Sequence, residues 1–309
     1  MIHQDETTCR SCGSNDLQTL IEFGETPLAD RLLTKEQLSE DNLFAPLTVV
    51  FCGDCSLVQI KETVAPEILF YSDYPYFSSV SKSLMAHFRD SALDIIEERN
   101  LGEQSLVFEA ASNDGYMLRN FKEQGIDVLG IEPTDGPAEA ARNLGIETRH
   151  TFFTSDLAED LRKEFPQGAD VFLANNVLAH VPDLNGFVTG IKTVLNDQGV
   201  AVIEAPYLVD LVDHCEFDTM YHQHLCYFSV TALDKLFRRH GLYLNNIKRT
   251  SIHGGSLRLF IEPIENVSES VTELLRMEHE RKVDAPDYYA DFAQRVSDIK
   301  QKLLSILDK

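Results

Sequence analysis

The composition and charge of this 309-residue chain exclude several classes of partner. Its hydrophobic content of 43% is typical of a globular protein, and 27 basic against 50 acidic residues give a formal net charge of −23. So acidic a surface repels nucleic-acid backbones and anionic membranes, and we expect neither as a partner. Because the sequence shows no secretory signal and no apolar run of roughly 20 residues, we expect a cytoplasmic protein.

Two Cys-x-x-Cys pairs lie in the first part of the chain, Cys9 with Cys12 and Cys52 with Cys55. In a reducing compartment such pairs indicate a metal rather than disulfides, and four thiolates suit a tetrahedral, structural zinc ion. The 39 residues between the pairs exceed the usual zinc-ribbon spacing. The sequence therefore predicts a zinc-binding subdomain with long loops over residues 1–80, with a redox pair as the alternative.

Strand and helix patterns alternate between residues 81 and 263. The stretch "SLMAHFRDSALDIIEERN" has a helical apolar face, and four short apolar runs follow it: "SLVFEAAS", "DVLGIEP", "ADVFLANN" and "GVAVIEAP". Strands that alternate with helices predict an α/β fold with a doubly wound, mainly parallel sheet. Two further apolar runs follow these four, "LYLNNIKRTS" and "SLRLFIEP". They have no helix between them and therefore predict an antiparallel pair of strands.

Residues 264–309 form a polar, helical extension in this interpretation. Its last part has one apolar stripe with a 4-3-4-3 spacing, formed by Phe292, Val296, Ile299, Leu303 and Ile306. Such a stripe needs a partner surface, either on the sheet domain or outside the chain.

The turn after the first strand of the sheet, "VFEAASNDGY", has acidic residues where a dinucleotide site needs glycines. Only Gly115 is available there, and Glu109 and Asp114 would repel a pyrophosphate, which argues against NAD. Glu132 follows the second strand, 23 positions after Glu109, near the offset of an acid that binds ribose hydroxyls. This combination suits a cationic nucleoside, S-adenosylmethionine.

The stretch "EFDTMYHQHLCYF", residues 216–228, contains two histidines, a tyrosine and an amide in a row. In a helix Tyr221 and His224 would share a face, whereas in a strand His222 and His224 would do so. Histidine is the side chain whose ordinary pKa suits a general base near neutral pH. The stretch is therefore a candidate for proton abstraction, with ordinary packed polar residues as the alternative.

Eight motifs occur in order along nearly the whole chain: "CRSC", "GETPLAD", "FCGDCSLVQI", "YPYFSS", "EAASNDGYML", "ANNVLAHVPD", "FDTMYHQHLCYF" and "HGGSLRLF". Together they resemble the zinc-containing, S-adenosylmethionine-dependent sugar C-methyltransferases of deoxysugar biosynthesis, which act on nucleotide-linked 4-keto sugars. The resemblance implies a class I methyltransferase-like fold. It also implies methylation of the carbon next to the ketone, through base-catalysed enolisation.

The resemblance also implies roles for individual residues. His224 would be the base with Tyr221 beside it, and His180, after the fourth strand, would polarise the ketone or contact the sugar. The residues implied around S-adenosylmethionine are Glu109, Asn113, Gly115, Glu132, Asn175 and Asn176. The residues implied at the nucleotide-sugar substrate are Tyr76, His222, Gln223 and His253.

Two departures from the family pattern accompany the resemblance. Gln223 stands where the family usually has glutamate, and family members continue into a further C-terminal domain that we expect this chain to lack. Two other functions stay open: an O- or N-methyltransferase of a small metabolite, and a non-catalytic module that binds cofactor or a partner protein. The sequence does not determine the sugar, the stereochemistry or the oligomeric state.

Overall fold

The computed structural model describes residues 2–30, 33–35, 37–39, 42–70 and 76–308. The N-terminal part consists of short strands and one short helix: β1 (His3–Asp5), β2 (Leu17–Pro27), β3 (Phe44–Cys52), β4 (Val58–Ile60), β5 (Glu62–Val64) and α1 (Pro66–Leu69).

The central part begins with a long helix and then alternates strands with helices. Its elements are α2 (Lys82–Arg99), β6 (Leu106–Ala110), α3 (Leu118–Lys122), β7 (Asp127–Ile131), α4 (Asp135–Asn143), β8 (Thr148–Arg149), α5 (Ser155–Glu164), β9 (Ala169–Asn175), α6 (Leu184–Val194) and β10 (Leu195–Pro206). The remaining elements are α7 (Leu208–His214), β11 (Cys226–Tyr227), α8 (Val230–Arg239), β12 (Tyr243–Thr250), β13 (Ser256–Glu262), α9 (Glu269–Glu280) and α10 (Phe292–Leu307).

Seven strands form one sheet in the order β12-β13-β10-β9-β6-β7-β8. The pairs from β10 to β8 are parallel, whereas β13 is antiparallel to both of its neighbours. This is the strand order of class I methyltransferases, and it confirms both the doubly wound sheet and the antiparallel pair. The order reverses between β6 and β9, where such sheets bind ligands beyond the strand ends.

The local sequence explains two elements near this predicted ligand site at the strand ends, β6 and α2. Every residue of β6 is buried, which accounts for its continuous apolar run in the sheet centre. The helix α2 begins after Ser81, whose side chain accepts a hydrogen bond from the backbone N–H of Leu84. It ends at Asn100 in the left-handed conformation, which asparagine tolerates.

The zinc subdomain contributes a second sheet, with the order β11-β4-β3-β2. Its edge strand, β11, comes from the histidine-rich stretch and pairs antiparallel with β4, so that Cys226 lies opposite Gln59 and Tyr227 opposite Val58. This pairing attaches the histidine-rich stretch directly to the zinc subdomain.

The predicted apolar stripe of α10 is covered at its start and exposed towards its end. Phe292 and Val296 are buried against the main core, whereas Ile299, Leu303 and Ile306 are exposed. The first part of the stripe therefore finds its partner within the chain. None of the helices in the described ranges combines the length and apolar character needed to cross a bilayer.

Candidate active site and zinc centre

The four cysteines of the two Cys-x-x-Cys pairs converge on one point. Cys9 Sγ lies 3.4 Å from Cys55 Sγ, Cys12 Sγ lies 3.6 Å from Cys52 Sγ, and all four sulfurs lie within 4.8 Å of one another. Tetrahedral zinc with Zn–S bonds of about 2.3 Å separates its sulfurs by about 3.8 Å. The sulfurs are too far apart for disulfides, whose S–S bonds are about 2.05 Å. The cluster thus fits a closed, structural zinc site.

Residues 221–224 of the histidine-rich stretch form a turn, not the helix or strand that the sequence left open. The backbone N–H of His224 donates to the carbonyl of Tyr221 at 2.9 Å, and the two ring centroids lie 4.3 Å apart. Leu225, the next residue, anchors the turn through two backbone hydrogen bonds. Leu225 accepts a hydrogen bond from the N–H of Ile60 at 3.0 Å and donates to the carbonyl of Ala179 at 2.7 Å.

The hydrogen bonds of His224 determine its tautomer. Its Nδ1 lies 2.7 Å from the carbonyl oxygen of Thr219, which can only accept, so Nδ1 carries the proton. Nε2 therefore keeps its lone pair and accepts from the hydroxyl of Tyr221 at 3.1 Å. Burial lowers the pKa of His224, and the Thr219 carbonyl and the Asp30 carboxylate oppose this shift. The result is a neutral imidazole with its accepting nitrogen towards Tyr221.

His180 lies beside this turn and is fixed in the same way. Its Nδ1 donates to the carbonyl of Gln223 at 2.7 Å, and its ring centroid lies 4.7 Å from that of His224. Burial, with His224 as a second cause, lowers the pKa of His180 to about 3, so the ring is neutral at physiological pH. With its proton on Nδ1, His180 presents an acceptor and not a donor.

The side chain of Gln223 is buried and lines the cavity described below, and none of the described residues gives its Nε2 a hydrogen-bond acceptor. A buried amide donor without a partner costs about 1–3 kcal/mol. The geometry therefore favours a ligand oxygen as the missing acceptor.

One cavity of about 720 Å³ joins this turn to the carboxyl ends of the parallel strands. That size is within the range of small-molecule sites, roughly 300–1,000 Å³. The selected residues that line it are Tyr76, Asn113, Glu132, Asn175, Asn176, His180, Tyr221, Gln223, His224 and His253. The cavity therefore brings most of the residues selected from the sequence to one place.

Three selected residues are not among those that line the cavity. Glu109 is fully buried and accepts a hydrogen bond from Asn175 Nδ2 at 3.3 Å. Gly115 has a φ of +76°, and a Cβ there would lie 2.3 Å from Ile146 Cδ1, so its role is in the turn and its packing. His222 points away from the cavity and donates from Nε2 to the carbonyl of Pro46 at 3.0 Å. The structure thus does not support His222 as a substrate contact.

The turn after β6 has left-handed backbone at alternate positions, with φ of 49° at Ala111, 48° at Asn113 and 76° at Gly115. Alternating glycines would give this conformation most easily, but two of the three positions hold other residues, which costs about 1–2 kcal/mol each. The sequence does not reveal this conformation, because glycine is its usual signal and only Gly115 is present in the turn. The turn directs the N–H of Asn113 towards Glu132 Oε2 at 2.9 Å.

The polar groups of this part of the cavity fit S-adenosylmethionine. Glu132 Oε1 accepts from the N–H of Thr134 at 2.9 Å, so its carboxylate is held in place where a ribose could meet it. Asn176 Oδ1 is a buried acceptor that has no hydrogen-bond partner among the described residues. Among the described residues that line the cavity there is no lysine or arginine. Such a site favours a cationic ligand and disfavours a pyrophosphate.

Asp30 and Thr219 also line the cavity, although neither was predicted from the sequence as a site residue. Asp30 lies in the "GETPLAD" motif, and its carboxylate raises the pKa of His224 against the effect of burial. Thr219 acts through its backbone carbonyl, which no side-chain pattern reveals. The sequence signal that could have identified Asp30 as a site residue was its position in the "GETPLAD" motif.

Three family models match successive parts of the chain. A model described as a putative zinc binding domain matches residues 9–70, one described as a methyltransferase domain matches 84–246, and one described as a C-methyltransferase C-terminal domain matches 251–309. C-methyltransferase NovU from Streptomyces niveus is 32% identical over 302 residues, which are 97% of this chain and 71% of that protein. This chain belongs to the zinc-containing, S-adenosylmethionine-dependent C-methyltransferases.

The third match corrects one expectation. We expected this C-methyltransferase to lack the C-terminal domain of its family, but residues 251–309 match the model of that domain. The match begins before β13, so it includes a strand that we assigned to the sheet domain from its apolar pattern. The predicted division at residues 80 and 263 stays a prediction.

Two solved structures resemble this C-methyltransferase over part of its length. Magnesium protoporphyrin IX methyltransferase from Synechocystis PCC 6803 is 14% identical, with 57% of this chain and 81% of that chain covered and a TM-score of 0.44. A Pyrococcus horikoshii OT3 protein is 11% identical, with 61% and 95% covered and a TM-score of 0.47.

Proposed function

We propose that this C-methyltransferase methylates the carbon next to the ketone of a nucleotide-linked 4-keto sugar. The observation that supports this most strongly is the neutral His224, whose accepting nitrogen lies in the same cavity as the candidate cofactor residues. An oxygen or nitrogen acceptor has its own lone pair, whereas a carbon next to a ketone must first lose a proton. A general base is therefore expected for carbon methylation.

His224 Nε2 takes the proton from the acceptor carbon in this proposal. The carbonyl of Thr219 holds the opposite nitrogen and stabilises the imidazolium that forms, and Asp30 adds a favourable charge. The hydroxyl of Tyr221 stays protonated because burial raises its pKa to about 12. On acceptor binding this hydroxyl turns from His224 to the developing enolate oxygen, where a donor lowers the barrier.

The neighbouring polar groups orient the sugar. His180 has its proton on Nδ1 in this proposal, so its other ring nitrogen accepts from a sugar hydroxyl, which is the second of the two roles considered from the sequence. Gln223 Nε2 donates to a sugar oxygen and thereby gains the partner that it otherwise lacks. Tyr76 and His253 complete the lining of the cavity around the sugar.

The cofactor lies at the strand ends, where Glu132 would hold the ribose and Asn175 and Asn176 the methionine part. When bound there, S-adenosylmethionine supplies the electrophilic methyl group. Glu109 accepts a hydrogen bond from the side chain of Asn175 and thereby helps to orient it towards the methionine part of the cofactor. We also propose the division into a zinc subdomain (1–80), a cofactor domain (81–263) and a helical segment (264–309), and a cytoplasmic location.

The test is a reaction with S-adenosylmethionine that carries a deuterated methyl group, together with a panel of nucleotide-linked 4-keto sugars. Mass spectrometry and NMR locate the label in the product. We expect it on the carbon next to the ketone of at least one sugar. A label on oxygen or nitrogen, or cofactor binding without turnover of any sugar, would contradict the proposal.

A further inference from the structure

Asn113 joins the candidate cofactor turn to the segment 76–80 that enters the cavity from the zinc subdomain. Its Oδ1 accepts from the N–H of Ser78 at 2.9 Å, and its Nδ2 donates to the carbonyl of Tyr76 at 3.1 Å. Its own N–H donates to Glu132 Oε2 at 2.9 Å. One residue thus connects the predicted ribose-binding acid to the backbone that carries Tyr76.

Two further contacts fasten the same segment to the cofactor side. The N–H of Ser79 donates to Asp114 Oδ2 at 3.2 Å. Phe77 packs over Gly136 in the first turn of α4, where a Cβ would lie 3.3 Å from the Phe77 ring. The segment is therefore held by Asp114 and α4 as well as by Asn113.

The bonds of Asn113 depend on its unusual backbone. Its φ of 48° lies in the left-handed region, which asparagine tolerates better than most residues, and it is nearly buried at 9% exposure. A ligand that fixes Glu132 and this turn must also fix the side chain that holds Ser78 and Tyr76. Asn113 therefore belongs to both the cofactor side and the acceptor side of the cavity.

We propose that Asn113 is a positioning residue that couples cofactor binding to acceptor binding. With the cofactor on Glu132, the segment 76–80 is held against the cavity and Tyr76 is ready to cover the acceptor. By thermodynamic linkage the acceptor strengthens cofactor binding by the same factor. The acceptor half of this inference rests on the proposed function, whereas the link between the cofactor and the segment does not.

Amide hydrogen exchange tests the link without any acceptor, because the amides of Ser78 and Ser79 make the bonds in question. In the wild-type protein, saturating S-adenosylhomocysteine should slow exchange at both amides by about tenfold. Asn113→Gly keeps the left-handed backbone and removes the side chain, so Ser78 should exchange faster and lose its response to the ligand. Unchanged exchange at Ser78 in the wild-type protein on ligand binding would overturn the inference.

Asn100→Gly is the matched control, since Asn100 has a φ of 50° at the distant end of α2. It should leave exchange at Ser78 and all kinetic constants unchanged. Asn113→Gly, assayed at saturating cofactor, should raise the KM for the acceptor about tenfold, a larger effect than its effect on kcat. If the wild-type enzyme turns over and Asn113→Gly has the wild-type KM, the coupling is refuted. If no sugar is turned over by the wild-type enzyme, the proposed function fails and the exchange result still decides the link.

Discussion

The hydroxyl of Tyr221 lies 3.1 Å from Nε2 of His224, while the carbonyl of Thr219 holds the other ring nitrogen at 2.7 Å. These two bonds fix both the orientation and the tautomer of the imidazole. The proposed base is thus set by one backbone carbonyl and one phenol.

Replacement of His224 by asparagine should lower kcat by about 10²- to 10⁴-fold, because the amide cannot take a proton. Binding of S-adenosylhomocysteine, measured by calorimetry, should stay close to wild type. His222→Asn is the control, since His222 lies two positions away but faces the zinc subdomain. Equal loss of activity in the two variants would argue against a specific role for His224.

The pH dependence of kcat/KM should show an acidic limb below the ordinary histidine pKa of about 6.5. Burial lowers the pKa of His224, so its neutral form persists to lower pH and activity falls only when the pH drops through this lowered value. Asp30 raises this pKa and His253 lowers it, while His180 and Tyr221 are the titratable groups in contact with the ring. An acidic limb above pH 7 would contradict the assignment.

Gln223→Glu should move that acidic limb to higher pH. A carboxylate beside the two imidazoles favours their protonated forms and raises their pKa values, so less neutral base is present at a given acidic pH. Gln223→Met serves as the control, because it has a similar size but no charge and should leave the limb in place. A Gln223→Glu profile identical to wild type would show that this side chain does not act on the base.

The free energy of unfolding should decrease as the pH falls from about 6.5 towards 3. Burial lowers the folded-state pKa of His180 to about 3, whereas the unfolded chain takes up the proton near 6.5. Stability from the neutral ring is therefore complete above the unfolded pKa and is lost progressively below it. Urea unfolding at pH 7.5 and 4.5 should show a smaller difference for His180→Gln than for wild type.

Cys55→Ser should lower the zinc content, measured by elemental mass spectrometry, and the melting temperature. Because β4 holds β11 next to the histidine-rich turn, methyl transfer should fall more steeply than binding of S-adenosylhomocysteine. Cys215→Ser is the control, since Cys215 lies outside the cluster. A Cys55→Ser protein with full zinc occupancy would contradict the four-cysteine site.

Much of the fold was predictable because its signals are local. The apolar runs identified the parallel strands, and the cysteine spacing identified the zinc centre. The turn at Tyr221 and His224 was not predictable, since a hydrogen bond to Ala179 and the strand pairing with β4, both distant in sequence, create it. The part played by Thr219 was also hidden, because it acts through its backbone carbonyl. The bonds of the Asn113 side chain to Ser78 and Tyr76 were hidden too, because these residues are distant in sequence.

The most direct test of the central claim is solvent exchange at the acceptor carbon without methyl transfer. The enzyme is incubated in D₂O with S-adenosylhomocysteine and a nucleotide-linked 4-keto sugar that it methylates, and NMR follows the proton next to the ketone. We expect the wild-type enzyme to replace this proton with deuterium and His224→Asn to do so at least about 100-fold more slowly. Equal exchange by the two proteins would contradict that claim.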